Sequence, residues 1–531
     1  MSYDQAASKI RQKIRYFTTE SFVLRILSRL HKEHDMGEAF KRPWILCLAI
    51  DWALELDPIA GAREATQKDV QPILQSMWEL QGKAMGIEKE KDIWLSLRAF
   101  LLSQLRFQVP QITHSFFLLR LYTIMSQLGF KQSFTEDFKK ATGVDLEDFF
   151  LFAIWIVNYF SDTKNKNLTL GQILVNFHPA LSIESISKIL KLVGSTIPGL
   201  KALAQPLQLP LRPETYFYEP LLIKKPLILL DIHISHAHPY IVSIGISEFV
   251  LRTLKAVDTQ RFQKKFTKSF ESYVGTTLGE FNFTYITEDD INDTYKQHKR
   301  QGKVIDFLHQ NNGSSVFIDA KGVEPKEKLL VTDSTRMLKD KLRDNLLSGV
   351  TQGSRCAQIL GDIAYEDLAP YENRYSIVVT HQDFYCGSGS KLVQYLGEEL
   401  SHKVTEASNG QFPIENIHFF SIADFEGMVA VCFEAGKDIA EFLDFCTEQE
   451  KEPATQTFDM RQRIEAFASI HNLQNASPIG TQLLQSNVEK LLSTLNKKFT
   501  HSRKNWGTEP KKIRQFYQAV AQLEQALKSR L

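Results

Sequence analysis

From about Ser8 to Gly194, apolar residues recur at helical spacing, in stripes such as Ile14, Phe17, Phe22, Leu24, Ile26 and Leu27, then Trp44 to Leu56, Trp94 to Leu105 and Phe116 to Leu128. Breakers are sparse and no alternation marks a strand, so the pattern predicts one long helical domain. Prolines then crowd residues 197–220, IPGLKALAQPLQLPLRPETYFYEP. Proline continues neither a helix nor a central strand, so this stretch reads as a linker. Past it, Pro226 to Leu230 reads as a short strand and residues 258–278 as an amphipathic helix with Phe262, Phe266, Phe270 and Val274 every four residues. Phe281 to Ile286 reads as another strand, followed by an acidic and polar run, EDDINDTYKQHKRQG.

Residues 303–322, KVIDFLHQNNGSSVFIDAKG, carry the strongest local signal. Two runs rich in Val, Ile and Phe flank Asn312-Gly313, a dipeptide suited to the two positive-φ positions of a type I′ hairpin turn. With these as the loop, Asn311 pairs with Ser314, and continuing the register sets Asp306 opposite Asp319. Like charges directly opposed in a ladder are destabilising. Side chains alternate faces, so Lys321 shares a face with both aspartates, while Ile305, Phe307, Val316, Ile318 and Ala320 occupy the other. Two carboxylates and a lysine converging at the end of a hairpin suit a hard divalent cation such as Mg²⁺, which takes oxygen ligands from carboxylates, water and phosphate. The plainer alternative is an ordinary hairpin with a surface Asp–Lys pair.

Downstream, Leu329 to Val331 reads as a sheet extension and Ser334 to Gly361 as mostly helical, with Gln352 between Gly349 and Gly353. Tyr375 to Thr380 and Ile417 to Ile422 read as strands, and from Ala435 the chain turns helical again. Between the two strands, CGSGS at 386–390 reads as a capped helix start. Glu271 lies ~100° off the phenylalanine stripe, at the margin of its helix's buried face. His233, His236 and His238, with Asp231, are a candidate zinc set, but their spacing matches no tight metal motif. Residues 497–516, KKFTHSRKNWGTEPKKIRQF, interleave cations with Phe499, Trp506 and Phe516. Such a pattern belongs either to a solvated face or to a surface that follows a phosphate backbone.

Composition narrows the class of protein. The 531 residues are 43% hydrophobic and 24% charged with a net charge of +1, an ordinary globular balance in which polyanion binding must come from local patches. Five scattered cysteines with no CxxC pair fit a reducing, cytoplasmic setting and argue against a disulfide framework or a cysteine-based zinc site. The N-terminus has no signal-peptide apolar core, and the longest apolar run, Phe149 to Val157, is too short to span a bilayer, so no membrane partner is expected.

In order, a helix with Glu271, two strands leading to Asp306, a third ending Asp319-Ala320-Lys321, and a helix with Gln352 resemble the core of the PD-(D/E)XK, restriction-endonuclease-like superfamily. The resemblance covers roughly residues 220–430. Ile305 stands where the family's name has proline, and Asp319 is the shorter of the two acids that the motif accepts. The resemblance implies an αβββαβ, mixed-sheet α/β nuclease core at 221–434. A large all-α domain at 1–196, the linker 197–220 and a smaller helical region with its basic stretch at 435–531 flank it. It also implies Mg²⁺, with Mn²⁺ as substitute, held by Asp306, Asp319 and Glu271. Lys321 would orient or activate water, and Gln352 would orient groups in the site. The implied activity is metal-dependent endonucleolytic hydrolysis of phosphodiesters, of DNA ahead of RNA. The layout is similar to that of bacterial proteins with a helical N-terminal region before such a core, several of them in phage-defence or mobile-element systems. A homo-oligomer or a partner protein docked through the helical regions would fit this layout. The alternative is an inactive nuclease-fold scaffold that binds nucleic acid or protein.

Overall fold

The structure, a computed structural model, describes residues 1–32, 42–85, 93–108, 111–162, 165–207, 210–231, 233–332, 334–363, 368–457, 459–473 and 481–529. It is mostly helical with two small mixed sheets, and it divides into two compact units. Met1–Thr123, Lys131–Phe262 and Ser486–Leu531 form the first, and Ile124–Phe130 with Gln263–Gln485 the second. No helix among the described residues is long and apolar enough to cross a membrane.

The first unit is not all helix. Strands β1 (Asn167–Thr169), β2 (Gly194–Ser195), β3 (Leu227–Leu229) and β4 (His233–His236) form a sheet in the order β1-β4-β3-β2. Strands of two to four residues are too short to carry a visible alternation, which is why residues 1–196 read as purely helical. The expected linker is also structured. Ile197–Ala204 is a helix with proline in its first turn, where the missing N–H is no loss, and Ile197, Leu200 and Ala204 are buried. Tyr216, also buried, donates to the Met77 carbonyl at 2.8 Å. The C-terminal region is helical as expected, but its residues to Gln485 belong to the second unit and those from Ser486 to the first.

The second unit is built on strands β5 (Ile286–Thr287), β6 (Phe307–Asn311), β7 (Ser314–Lys321), β8 (Asn373–Thr380) and β9 (Ile417–Ser421), lying side by side in that order. β5, β6 and β7 pair antiparallel, and β7, β8 and β9 pair parallel. β7 is therefore central, and its residues from Ser314 to Ala320 are all buried, as a strand covered on both faces must be. Helix Ser348–Ile363 packs against the face of β7 that carries Phe317 and Asp319: a Cβ on Gly353 would meet the Phe317 Cβ at 3.6 Å. At the end of β7, a Cβ on Gly322 would lie 3.3 Å from Phe266 and 3.5 Å from Phe270 of helix Thr259–Glu280.

Two local expectations fail for identifiable reasons. Leu329 to Val331 lies in a short helix, Glu327–Val331, because no neighbouring strand offers a ladder there. The strand expected over 281–286 is confined to Ile286–Thr287, where the chain enters helix Glu288–Gln297. Thr287 and Asp290 form a reciprocal cap at that helix start, with the Asp290 N–H donating to Thr287 Oγ1 at 3.3 Å and the Thr287 N–H to Asp290 Oδ2 at 3.0 Å.

A buried charge pair ties the hairpin to the helix Ile439–Lys451. His309 Nε2 lies 3.0 Å from Asp438 Oδ2 and Nδ1 lies 2.6 Å from the Thr284 carbonyl, so the doubly protonated imidazolium satisfies both contacts. Burial pulls the His309 pKa down, but Asp438 and Thr284 outweigh it and the net shift is upward. Burial likewise raises Asp438, yet His309, Asn311 and the Ala440 N–H hold it below the usual carboxylate value. The pair's stabilisation is thus complete below the ordinary histidine value of 6.5 and is lost as pH rises through the raised one. Asp438→Ala should lower the unfolding free energy at pH 6 by about 3 kcal/mol, through the orphaned imidazolium and the lost helix cap. The deficit should be smaller at pH 9 than at pH 6, because the wild type itself loses the His309 proton as pH rises through the raised value. Denaturant unfolding at the two pH values checks this.

Candidate active site

The hairpin turn forms at Asn312 and Gly313, with φ of 48° and 77°. Pairing runs in the expected register from Asn311–Ser314 to Phe307–Ile318. Regular pairing stops one residue short of the aspartates. Asp306 sits just before β6, and its Oδ2 accepts from the Ala320 N–H at 2.6 Å, while its carbonyl accepts from the Glu288 N–H at 3.0 Å. These two bonds fix Asp306 beside the Asp319-Ala320-Lys321 end of β7.

Asp319 is 2% exposed. Its Oδ2 lies 2.7 Å from Lys321 Nζ in an ion pair, and both of its oxygens are buried without a hydrogen-bond partner. Gly349 permits this packing, because a Cβ there would fall 2.6 Å from Asp319 Oδ2 and 2.9 Å from Val378 Cγ2. Lys321 Nζ also lies 3.5 Å from Gln352 Oε1, and the Gln352 amide donates to the Val304 carbonyl. Gln352 thereby links the lysine to the segment that delivers Asp306. Glu271 is half-buried with Oε2 3.6 Å from Lys268 Nζ. It feels Asp319, and Asp306 in turn feels Glu271. All five residues expected from the sequence thus lie in one unit, in contact or within electrostatic reach of one another.

The electrostatics of the three acids share a direction. Burial first, then Asp319 and Glu271, push the Asp306 pKa well above the usual carboxylate value, against the Ala320 N–H and Lys321. Burial raises Asp319, opposed by Lys321 and Lys303, and burial raises Glu271, opposed by Lys268 and reinforced by Glu288 and Asp319. Three acids that each resist ionisation, one with an orphaned buried oxygen, match a divalent cation chemically. Among the described residues, no group of three or more His, Cys, Asp or Glu side chains is arranged to hold a metal alone. A cation at Asp306 and Asp319 would complete its shell with water and substrate oxygens, as Mg²⁺ commonly does.

His381 and Glu324 were not expected at this end of the sheet. His381 follows Thr380, the β8 partner of Lys321, and its Nδ1 lies 3.2 Å from Glu324 Oε1. Its ring packs edge-on to Phe266 and Phe270, with centroids 5.1 and 6.1 Å away. Only register past the strand end could have revealed the pair, because the two residues are remote in sequence.

The histidines near 231–240 have other work. His236 stacks on Phe160 and His31, with centroids 4.2 and 5.2 Å away, and burial drives its pKa well below the usual histidine value. His238 caps the helix Pro239–Val257, its Nδ1 accepting from the Tyr240 N–H at 3.2 Å. Comparison with known protein families, curated proteins and solved structures finds no match to this chain.

Because the folded state holds the proton on Asp306 more tightly than the unfolded chain, stability falls as pH rises above about 3.8 toward the raised value. Asp306→Asn keeps the acceptor for the Ala320 N–H and removes the charge. At pH 8 in EDTA it should therefore be more stable than wild type, on the order of 1 kcal/mol or more. Mg²⁺ should raise the thermal midpoint of the wild type and leave that of the variant unmoved. A wild type indifferent to Mg²⁺, or a less stable variant, would contradict the reading of this site.

Proposed function

We infer that the second unit is a metal-dependent phosphodiesterase acting on nucleic acid, with a core of the PD-(D/E)XK type. The observation that carries this is the Asp306–Asp319–Lys321 convergence at the mouth of the β6–β7 hairpin, with the Asp319 Oδ1 buried and unpartnered. The element order adds support. A helix bearing Glu271, three antiparallel strands, a helix bearing Gln352 and a parallel strand come in the order of the αβββαβ core, with helix Glu288–Gln297 inserted between β5 and β6 and helices Glu327–Val331 and Thr335–Leu342 between β7 and the Gln352 helix.

Asp306 and Asp319 would hold the cation, with Glu271 completing the shell directly or through a water. When bound, Mg²⁺ neutralises charge on the transferring phosphoryl group and lowers the pKa of its water. The protein's own groups do the rest. Asp306 is fixed by the Ala320 N–H and Asp319 by Lys321 and by the close approach of helix Ser348–Ile363 at Gly349. Lys321 Nζ, placed between Asp319 and Gln352, offers a proton donor and a positive charge to the phosphoryl oxygens as the attacking water bonds to phosphorus and one P–O ester bond breaks. DNA is the preferred substrate of this reading, on the strength of the resemblance.

Purified protein incubated with plasmid, linear and single-stranded DNA and with RNA should cleave at least one of them in Mg²⁺ or Mn²⁺ and none in EDTA. Asp306→Ala, Asp319→Ala and Lys321→Ala should each reduce the rate by about 100-fold or more. Gln352→Ala, which acts through Lys321, should cost roughly tenfold. Full activity in any of the first three variants would overturn the assignment. Metal-independent binding with no cleavage of any substrate would favour the scaffold.

A further inference from the structure

Residues 497–514 contain seven Lys or Arg and one Glu, in a chain whose total charge is +1. They occupy the end of helix Gln482–Asn505 and the start of helix Pro510–Lys528, both assigned from Ser486 onward to the first unit. The aromatic residues of the stretch turn inward. Trp506 Nε1 donates to the Leu174 carbonyl at 3.2 Å, and its ring packs on Phe516 with centroids 5.2 Å apart. Phe499 packs on Phe177 with centroids 5.2 Å apart, and a Cβ on Gly171 would meet the Phe516 ring at 3.1 Å. Two of the cations are also committed, Lys498 to Asp148 at 2.9 Å and Arg503 to Asn176 at 2.6 Å.

The remaining cations have no such partner. Lys497, Lys504, Lys511 and Arg514 are exposed, and among the described residues none pairs with a carboxylate. Helix stability does not account for the set. Lys504, in a last turn, complements the helix dipole. Lys511 and Lys512 lie in the first turn of helix Pro510–Lys528, where the dipole disfavours a cation, and Glu509 at the N-cap is one acid against the two of them. On helix Gln482–Asn505, Lys497, Thr500, His501 and Lys504 share one face and line a groove of about 750 Å³ with Ser493 and Asn496, and Glu489 and Leu492 complete its lining. Exposed cations on two consecutive helices, with aromatics anchored between them in the chain and hydroxyl and amide donors along the groove of the first, make this a predominantly basic face.

We propose that this face binds the sugar-phosphate backbone of nucleic acid, as a contact in the first unit separate from the Asp306–Asp319–Lys321 site. The chemistry is phosphate neutralisation by Lys and Arg with hydroxyl donors alongside. It fixes a strand without reading its sequence and gives an affinity that falls steeply with salt. The inference does not depend on cleavage, because a scaffold that cuts nothing would bind through the same face.

The test is fluorescence anisotropy of full-length wild-type protein in EDTA, where metal-dependent cleavage is silent. The probes are a labelled 30-base-pair DNA duplex and a 30-nucleotide single strand, titrated between 50 and 200 mM salt. The quadruple variant Lys497→Glu, Lys504→Glu, Lys511→Glu, Arg514→Glu should bind at least one probe ten-fold or more weakly. Its log–log salt slope should be shallower by about 3 to 4, close to 0.9 per lost contact. The probe that loses affinity identifies the preferred form of the strand. A control carrying the same charge change at Lys9, Lys13, Lys139 and Lys140, also exposed residues of the first unit, should bind like wild type. The four-fold Gln variant, which neutralises without reversing, should fall between wild type and the Glu variant, and unchanged thermal midpoints show that all are folded. The proposal is overturned if control and patch variants lose affinity equally. It is also overturned if neither probe weakens, or if only binding to vesicles of 4:1 phosphatidylcholine and phosphatidylserine is lost.

Discussion

Two aspartates are held close together inside the second unit, and the rest of that unit is arranged around the repulsion this creates. Two ionised carboxylates about 5 Å apart would repel by roughly 3 kcal/mol at an effective dielectric constant of 20, which with burial is why Asp306 resists ionisation. Each structural feature near them either enforces the proximity or moderates its cost. The hairpin turn sets the register, and the Ala320 N–H takes one oxygen of Asp306. Lys321 takes one oxygen of Asp319, and the glycine at 349 lets a helix close over it where any side chain would collide. What is left unsatisfied, the hydrogen-bonding capacity of the buried Asp319 carboxylate, is what the proposed cation would meet. Stability surrendered at one place for chemistry is the usual bargain of an active centre.

Much of that centre was legible in the sequence because its determinants are local. Asn312-Gly313 can adopt the two positive φ angles that few other pairs tolerate, and once the turn is fixed every pairing below it follows. Glu271 was placed by the phenylalanine stripe of its helix and Gln352 only by the glycines on either side of it, and the resemblance supplied the role expected of each. The last pairing was not legible: Asp306 leaves the ladder to accept from a backbone N–H, a choice that depends on burial on both sides of β7. The packing role of Gly349 and the His381–Glu324 pair escaped notice for the same reason. Their roles exist only once distant segments are packed, and no periodicity announces them.

The first unit was harder to read. Its strands of two to four residues leave no alternation, so apart from the strand read at Pro226 to Leu230, which forms β3, the sheet assembled from residues 167–236 was invisible in a helical background. Proline misled in the 197–220 stretch, since at a helix start it is favourable and only in the interior does it break. The basic stretch at 497–516 carried two superposed signals, aromatics that pack inward on the segments around Gly171 to Phe177 and cations that remain outside. Composition alone could not separate them. The three-dimensional structure does, by placing the aromatics in packing contacts and leaving Lys497, Lys504, Lys511 and Arg514 exposed.

The central claim is that Asp306 and Asp319 together hold a divalent cation. The most direct measurement is an anomalous difference map from crystals of the wild-type protein soaked in Mn²⁺. The account predicts a single strong peak within coordination distance of a carboxylate oxygen from each aspartate, lost in crystals of Asp319→Ala. A map with no peak between them, or with an equal peak in the variant, would contradict it.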